Sequence, residues 1–170
     1  MQVLLCVGED ARPLAPALAT AWREAAPSCD VTTVVLPATL SDNPSDKPSD
    51  AAPPGEARPA LAGVFVPLGA LGLSSVAGPE EGPLAGPAAE ADLVVVHVPV
   101  LDGTTLREGR VPAAVAAAAP HAVPVVVLAG RSEVSRREWS GAGVSGVHET
   151  GPDAATATAR VARTWAPSWA

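Results

Sequence analysis

The sequence predicts an α/β fold: one three-layer domain in which helices cover both faces of a mainly parallel sheet. Three observations carry this. Short valine-rich runs recur at Val3–Val7, Val31–Leu36, Leu93–Val98 and Val123–Leu128. They are continuously apolar rather than alternating, as strands buried on both faces must be. Segments with helical spacing separate most of them, and this order describes βαβ units and a doubly wound, Rossmann-like or flavodoxin-like sheet. Ligands of such sheets bind beyond the carboxyl ends of the strands.

After the first strand, Leu14, Leu18 and Trp22 recur at i+4 and make one apolar stripe, so a helix is expected over Pro13–Ala26. Pro13 suits its first turn, and Pro16 is early enough to be tolerated. The second strand is followed by Pro37–Arg58, rich in Pro, Ser and Asp and nearly devoid of apolar residues, which reads as a flexible linker. Residues 60–90 are rich in Gly, Pro and Ala, with one short strand expected at Val64–Val66. Beyond the third strand, Pro112–Ala119 is an Ala-rich helix closed by Pro120. Ser135 and Glu138 form an S-x-x-E capping box for a short helix that carries Trp139 and stops at Gly141–Gly143. A weaker fifth strand is expected at Val144–His148. Asp153 then caps a last helix, to Trp165, with Ala154, Ala157, Val161 and Trp165 on one side.

At 170 residues and 48% hydrophobic content the chain suits one domain with its own core. That core must be built from Ala, Val and Leu, because the large aromatics are confined to Phe65, Trp22, Trp139, Trp165 and Trp169. A net charge of −7 without any basic run argues against nucleic acid and against an anionic membrane surface. No apolar run approaches the roughly 18 residues of a membrane span, and Met1–Val7 lacks the basic start of a secretory leader, so the cytoplasm is the expected location. Cys6 and Cys29 lie beside strand-like runs and are expected to be buried, reduced thiols. His97 and His148 fall at strand ends with no Cys or second His at ligand spacing, so no metal site is expected and each histidine should be satisfied or exposed.

The stretch ADLVVVHVPVLDGTTLREGRVPAAVAAAAPHAVP, continuing VVVLAGRSEVSRREWSGAGVSGVHE, resembles the carboxyl-terminal part of the glycerate kinases that phosphorylate D-glycerate with ATP. The family patterns are "DLVITGEG", "LDxQTLxGKxP", "VPVxALAG" and "AGI". Asp92–Val96, Leu101, Asp102, Thr105, Leu106, Gly109, Arg110, Pro112, Pro124–Gly130 and Ala142–Val144 fall into that frame. The resemblance covers about half the chain. It implies one glycerate-kinase-like domain over residues 1–170, with the segment 37–58 standing where the family inserts a second domain.

The departures concern catalysis. The family's "PDxFKG" is replaced by Gly8-Glu9-Asp10-Ala11-Arg12, its "DGGEG" loop by Asp42-Asn43-Pro44-Ser45-Asp46, and its "TGEG" by Val96-His97-Val98-Pro99. The only lysine is Lys47, inside the linker. Phosphoryl transfer relies on positioned cations, so these losses predict a kinase homologue with reduced or no activity. The resemblance puts Asp102 in a catalytic role, orienting a hydroxyl or a metal ion; the alternative is a turn aspartate before Gly103-Thr104. Arg110, Thr105 and Asp42 are its substrate- or anion-binding candidates, with Arg110 standing where the family has lysine. ATP and Mg would be cofactors only if kinase activity is retained, and no cofactor is otherwise expected. The expected partner is a small hydroxy acid or a nucleotide; the alternative is a protein partner or a second copy, engaged through the tryptophan-bearing carboxyl end. Glu9 and Asp10 also resemble the acidic pair of response-regulator receivers, but Ala129-Gly130-Arg131 has no lysine where that family needs one.

Overall fold

The computed structural model describes residues 1–37 and 82–166. Their elements are β1 (Gln2–Gly8), a 3-10 turn (Glu9–Leu14), α1 (Ala15–Ala25), β2 (Asp30–Leu36), α2 (Ala85–Ala89), β3 (Leu93–Leu101), α3 (Arg110–Ala118), β4 (Val125–Ser132), α4 (Arg136–Gly141), β5 (Gly146–Glu149) and α5 (Ala154–Trp165). The five strands form one sheet in the order β2-β1-β3-β4-β5, and every pairing is parallel. This is the flavodoxin-like order of a doubly wound sheet.

Pleating explains why the strands read as unbroken apolar runs. Val94, Val96 and Val98 point to the face covered by α2 and α3, where Leu84, Ala88, Val111, Ala114 and Ala118 pack against them. Leu93 and Val95 point to the opposite face, beneath Leu18 and Trp22 of α1 and Val161 and Ala162 of α5. Both faces are covered, so both alternating sets must be apolar. The small buried side chains of α3 let its backbone lie close to the sheet, and on the other face the large Trp22 of α1 is buried.

Local signals at the element ends are realised. The Ser135 hydroxyl accepts from the Glu138 amide while the Glu138 carboxylate accepts from the Ser135 amide, completing the capping box. Gly143, at φ +84°, ends α4 in the left-handed region that glycine occupies without strain. Asp153 accepts from the Thr156 amide at the start of α5. Asp92, in the family's strand motif, accepts from the Gln2 amide at 2.7 Å and returns a bond from its own amide to the Gln2 carbonyl, locking the starts of β1 and β3 together.

Several boundaries differ from expectation. The expected helix at Pro13–Ala26 divides into the 3-10 turn and α1, because two prolines within the first turn remove amide donors there. β3 runs on to Leu101, through Pro99. The proline is tolerated because the last β1–β3 pair is Cys6 with Val96, so the strand has already parted from one neighbour. The short helix α2 lies in a stretch whose composition showed no helical period. Most of the expected linker (38–58), the Val64–Val66 strand and Trp169 lie outside the described residues.

Candidate active site at the carboxyl edge of the sheet

In the order β2-β1-β3-β4-β5 the chain leaves β1 toward one edge and β3 toward the other, so the switch point lies between the carboxyl ends of β1 and β3. Four residues meet there. Gly8 ends β1, Asp10 sits in the 3-10 turn, His97 lies midway along β3 rather than at its expected end, just past the last pair with β1, and Arg110 opens α3 after Gly109, whose φ of +80° turns the chain into the helix.

The Arg110 guanidinium reaches across the sheet edge and donates to Asp10 Oδ1 at 2.7 Å. A second nitrogen donates, at 3.5 Å, to the His97 carbonyl. The guanidinium lies so close over Gly8 that any Cβ there would overlap it and the Asp10 carboxylate. Glycine here makes room for the approach of a cation and is not demanded by backbone conformation. The Arg110 side chain is 15% exposed, against 44% for Asp10: a nearly buried cation is covered by an accessible carboxylate.

His97 is 4% exposed, and its Nδ1 has no hydrogen-bond partner among the described residues. Burial pushes its pKa down, the Arg110 charge adds to the shift, and Asp10 opposes it. The imidazole is therefore neutral near pH 7. It lines a cleft of about 420 Å³ together with Asp10, Leu14, Pro99, Thr150 and Pro152. Gly130 belongs to the same wall. A Cβ on it would come within 2.5 Å of the Pro99 carbonyl, so the glycine of the "VPVxALAG" frame serves the close approach of β4 to β3.

The sequence candidates separate into two groups. Asp102 and Thr105 pair with each other: Asp102 Oδ1 accepts from the Thr104 amide, the Thr105 amide and the Thr105 hydroxyl. The Thr105 amide and hydroxyl bonds hold the Asp102 carboxyl below the usual aspartate range, and the Thr104 amide adds to this. Leu106, buried after this turn, anchors it to the core. Arg110 pairs instead with Asp10, and no hydrogen bond or ion pair among the described residues joins the two pairs. Asp42 lies outside the described residues. Beside the Asp102 turn, a second depression of about 390 Å³ carries Arg107 and Arg137, both exposed. No group of His, Cys, Asp and Glu among the described residues is arranged to hold a metal ion.

Residues 80–166, just over half of the sequence, match the model of the glycerate kinase family. The chain belongs to the glycerate kinase family. No curated protein matches it. The family match begins just before α2 and runs through β3 to the end of α5. β1 and β2 lie outside it, yet β1 takes the neighbouring place in the sheet and supplies Gly8, with Asp10 following it. Thus one side of the switch point comes from the matched region and the other from the amino-terminal segment.

Sequence reasoning missed two partners of this site. Asp10 stands 100 positions from Arg110, and no local spacing announces such a pair. His97 was expected to be satisfied or exposed; it is buried with an unpartnered nitrogen, because its place in β3 turns the ring beneath the 3-10 turn. His148 has its partner: Nε2 accepts from the Trp165 indole at 2.9 Å. Trp165 also lies over Gly146, where a Cβ would come within 2.7 Å of the ring. This tryptophan is thus used in docking α5 on β5. No helix among the described residues is long and apolar enough to cross a membrane.

Proposed function

We propose that this member of the glycerate kinase family binds a small hydroxy acid at the β1–β3 switch point and phosphorylates it slowly or not at all. The observation that carries the reading is the Arg110 guanidinium paired with Asp10, a carboxylate that itself lines the cleft holding the neutral His97 ring. A guanidinium suits a carboxylate, and a neutral imidazole suits a hydroxyl.

The weak catalysis follows from how the charged groups are committed. Phosphoryl transfer needs cations at the transferring group and carboxylates free for a magnesium ion. Arg110, the cation that reaches over the switch point, is already paired with Asp10. Asp102, the family's expected catalytic carboxylate, takes three hydrogen bonds on one oxygen from its own turn. Among the described residues this donor set does not fit a resident magnesium–ATP complex.

The test is a coupled assay of ADP release with D-glycerate and magnesium–ATP, run beside calorimetric titration with D-glycerate alone. Binding that is lost in Arg110→Met, with ADP release at the level of the Asp102→Asn variant, is the expected result. Turnover by the native protein well above that of Asp102→Asn would overturn the view of a weak or inactive kinase.

A further inference from the structure

We infer that Asp10 is a built-in competitor for the ligand: its carboxylate occupies the face of Arg110 that an incoming carboxylate must take, and so sets how tightly the site binds. The inference rests on the reading of the switch point as a small-carboxylate site.

Three observations lead to it. Arg110 is the anchored partner, nearly buried and held also by the His97 carbonyl, whereas Asp10 is the accessible one, carried on a 3-10 turn. An exposed carboxylate on an anchored guanidinium is an exchangeable pair, because its loss to solvent costs little and another carboxylate restores the same geometry. Second, the missing Cβ of Gly8 leaves the guanidinium room over the end of β1, and its bond to the His97 carbonyl remains when Asp10 leaves. Third, Asp10 lines the same cleft as His97, whose Nδ1 is buried without a partner among the described residues. A ligand replacing Asp10 on Arg110 would bring its neutral part to the mouth of that cleft. A hydroxyl there would lie on the side of the cleft that the neutral His97 ring lines.

Asp10 thus has a role opposite to that of a positioning residue. A positioning carboxylate helps the ligand by aiming the arginine; a competitor hinders it by occupying the arginine. Replacing Asp10 with asparagine keeps the size and a hydrogen-bond acceptor but removes the charge, so the two roles predict opposite signs.

The experiment is calorimetric titration of native protein, Asp10→Asn and Arg110→Met with D-glycerate and, separately, with acetate, at low salt. Circular dichroism melts confirm that each variant folds, and Asp10→Ala serves as a second variant if Asp10→Asn does not. The expected result is D-glycerate binding roughly threefold to tenfold tighter in Asp10→Asn than in the native protein. Arg110→Met should bind neither acid, and D-glycerate should bind tighter than acetate by virtue of its hydroxyls. Equal or weaker binding by Asp10→Asn, with native binding intact, would overturn the competitor role and leave the site itself standing. Absence of binding in both native protein and Asp10→Asn would overturn the site and the competitor together.

Discussion

Gly8→Ala is a one-methyl test of the switch point. Gly8 has φ −74° and ψ 158°, extended backbone open to any residue, so alanine brings no backbone strain. On that ground alone the substitution should stabilise the fold by about 0.4–1 kcal/mol, through reduced freedom of the unfolded chain. Against this stands the overlap of the new Cβ with the Arg110 guanidinium and Asp10 Oδ1. The guanidinium is the far end of a flexible side chain, so it moves aside and the ion pair opens. With one partner 44% exposed, that pair contributes at most about 1 kcal/mol. The two effects nearly cancel, and the net change should lie within about 1 kcal/mol of zero. Binding should not be spared, because the new methyl displaces the guanidinium from its place over the end of β1. Urea unfolding followed by tryptophan fluorescence would read the first quantity, and calorimetric titration with D-glycerate the second. The expected outcome is an unfolding midpoint near that of the native protein with affinity reduced about tenfold or more. Destabilisation beyond about 3 kcal/mol, or unchanged affinity, would refute the placement of Arg110 over Gly8.

Other consequences follow from the same structure. Burial lowers the pKa of both His97 and His148, so the fold favours their neutral forms. The stability they contribute is complete above about pH 6.5 and declines as the pH falls through their depressed folded-state values. Urea midpoints measured across that range should show the decline. His148→Gln, which still accepts from Trp165 but does not titrate there, should reduce it to the part that His97 contributes. Leu128, fully buried in β4, should cost about 2–5 kcal/mol when cut to alanine, read from the same urea curves. Burial pushes the Cys6 thiol up to about 12, so iodoacetamide at about pH 8 should leave it unmodified in the folded protein and alkylate it in denaturant, as peptide mass spectrometry would reveal.

Much of the fold was legible because its signals are local. The valine runs had to be apolar on both faces, and the capping residues Ser135, Glu138 and Asp153 carry their own hydrogen-bond partners three positions away. The boundaries that shifted did so for tertiary reasons. β3 extends through Pro99 only because β1 has already diverged, and the helix after β1 gives way to a 3-10 turn that carries Asp10 to the sheet edge. The Asp102–Thr105 turn was equally local, and the turn alternative considered for Asp102 is what its three hydrogen bonds supply. The resemblance had joined Asp102, Thr105 and Arg110 as neighbours in one motif. Folding separates them, because the turn closes on itself while Arg110 reaches over β1.

From residue order alone came a parallel α/β sheet, the caps of its helices, and a family frame in which lysines and glycines are missing. These follow from side-chain period and short-range hydrogen bonding, which act within a few residues. Only the tertiary structure set Asp10 against Arg110, brought the guanidinium down onto Gly8, and closed His97 into the cleft without a partner for Nδ1. Those three relations depend on which strands are neighbours and on where each strand ends, and the order β2-β1-β3-β4-β5 decides both.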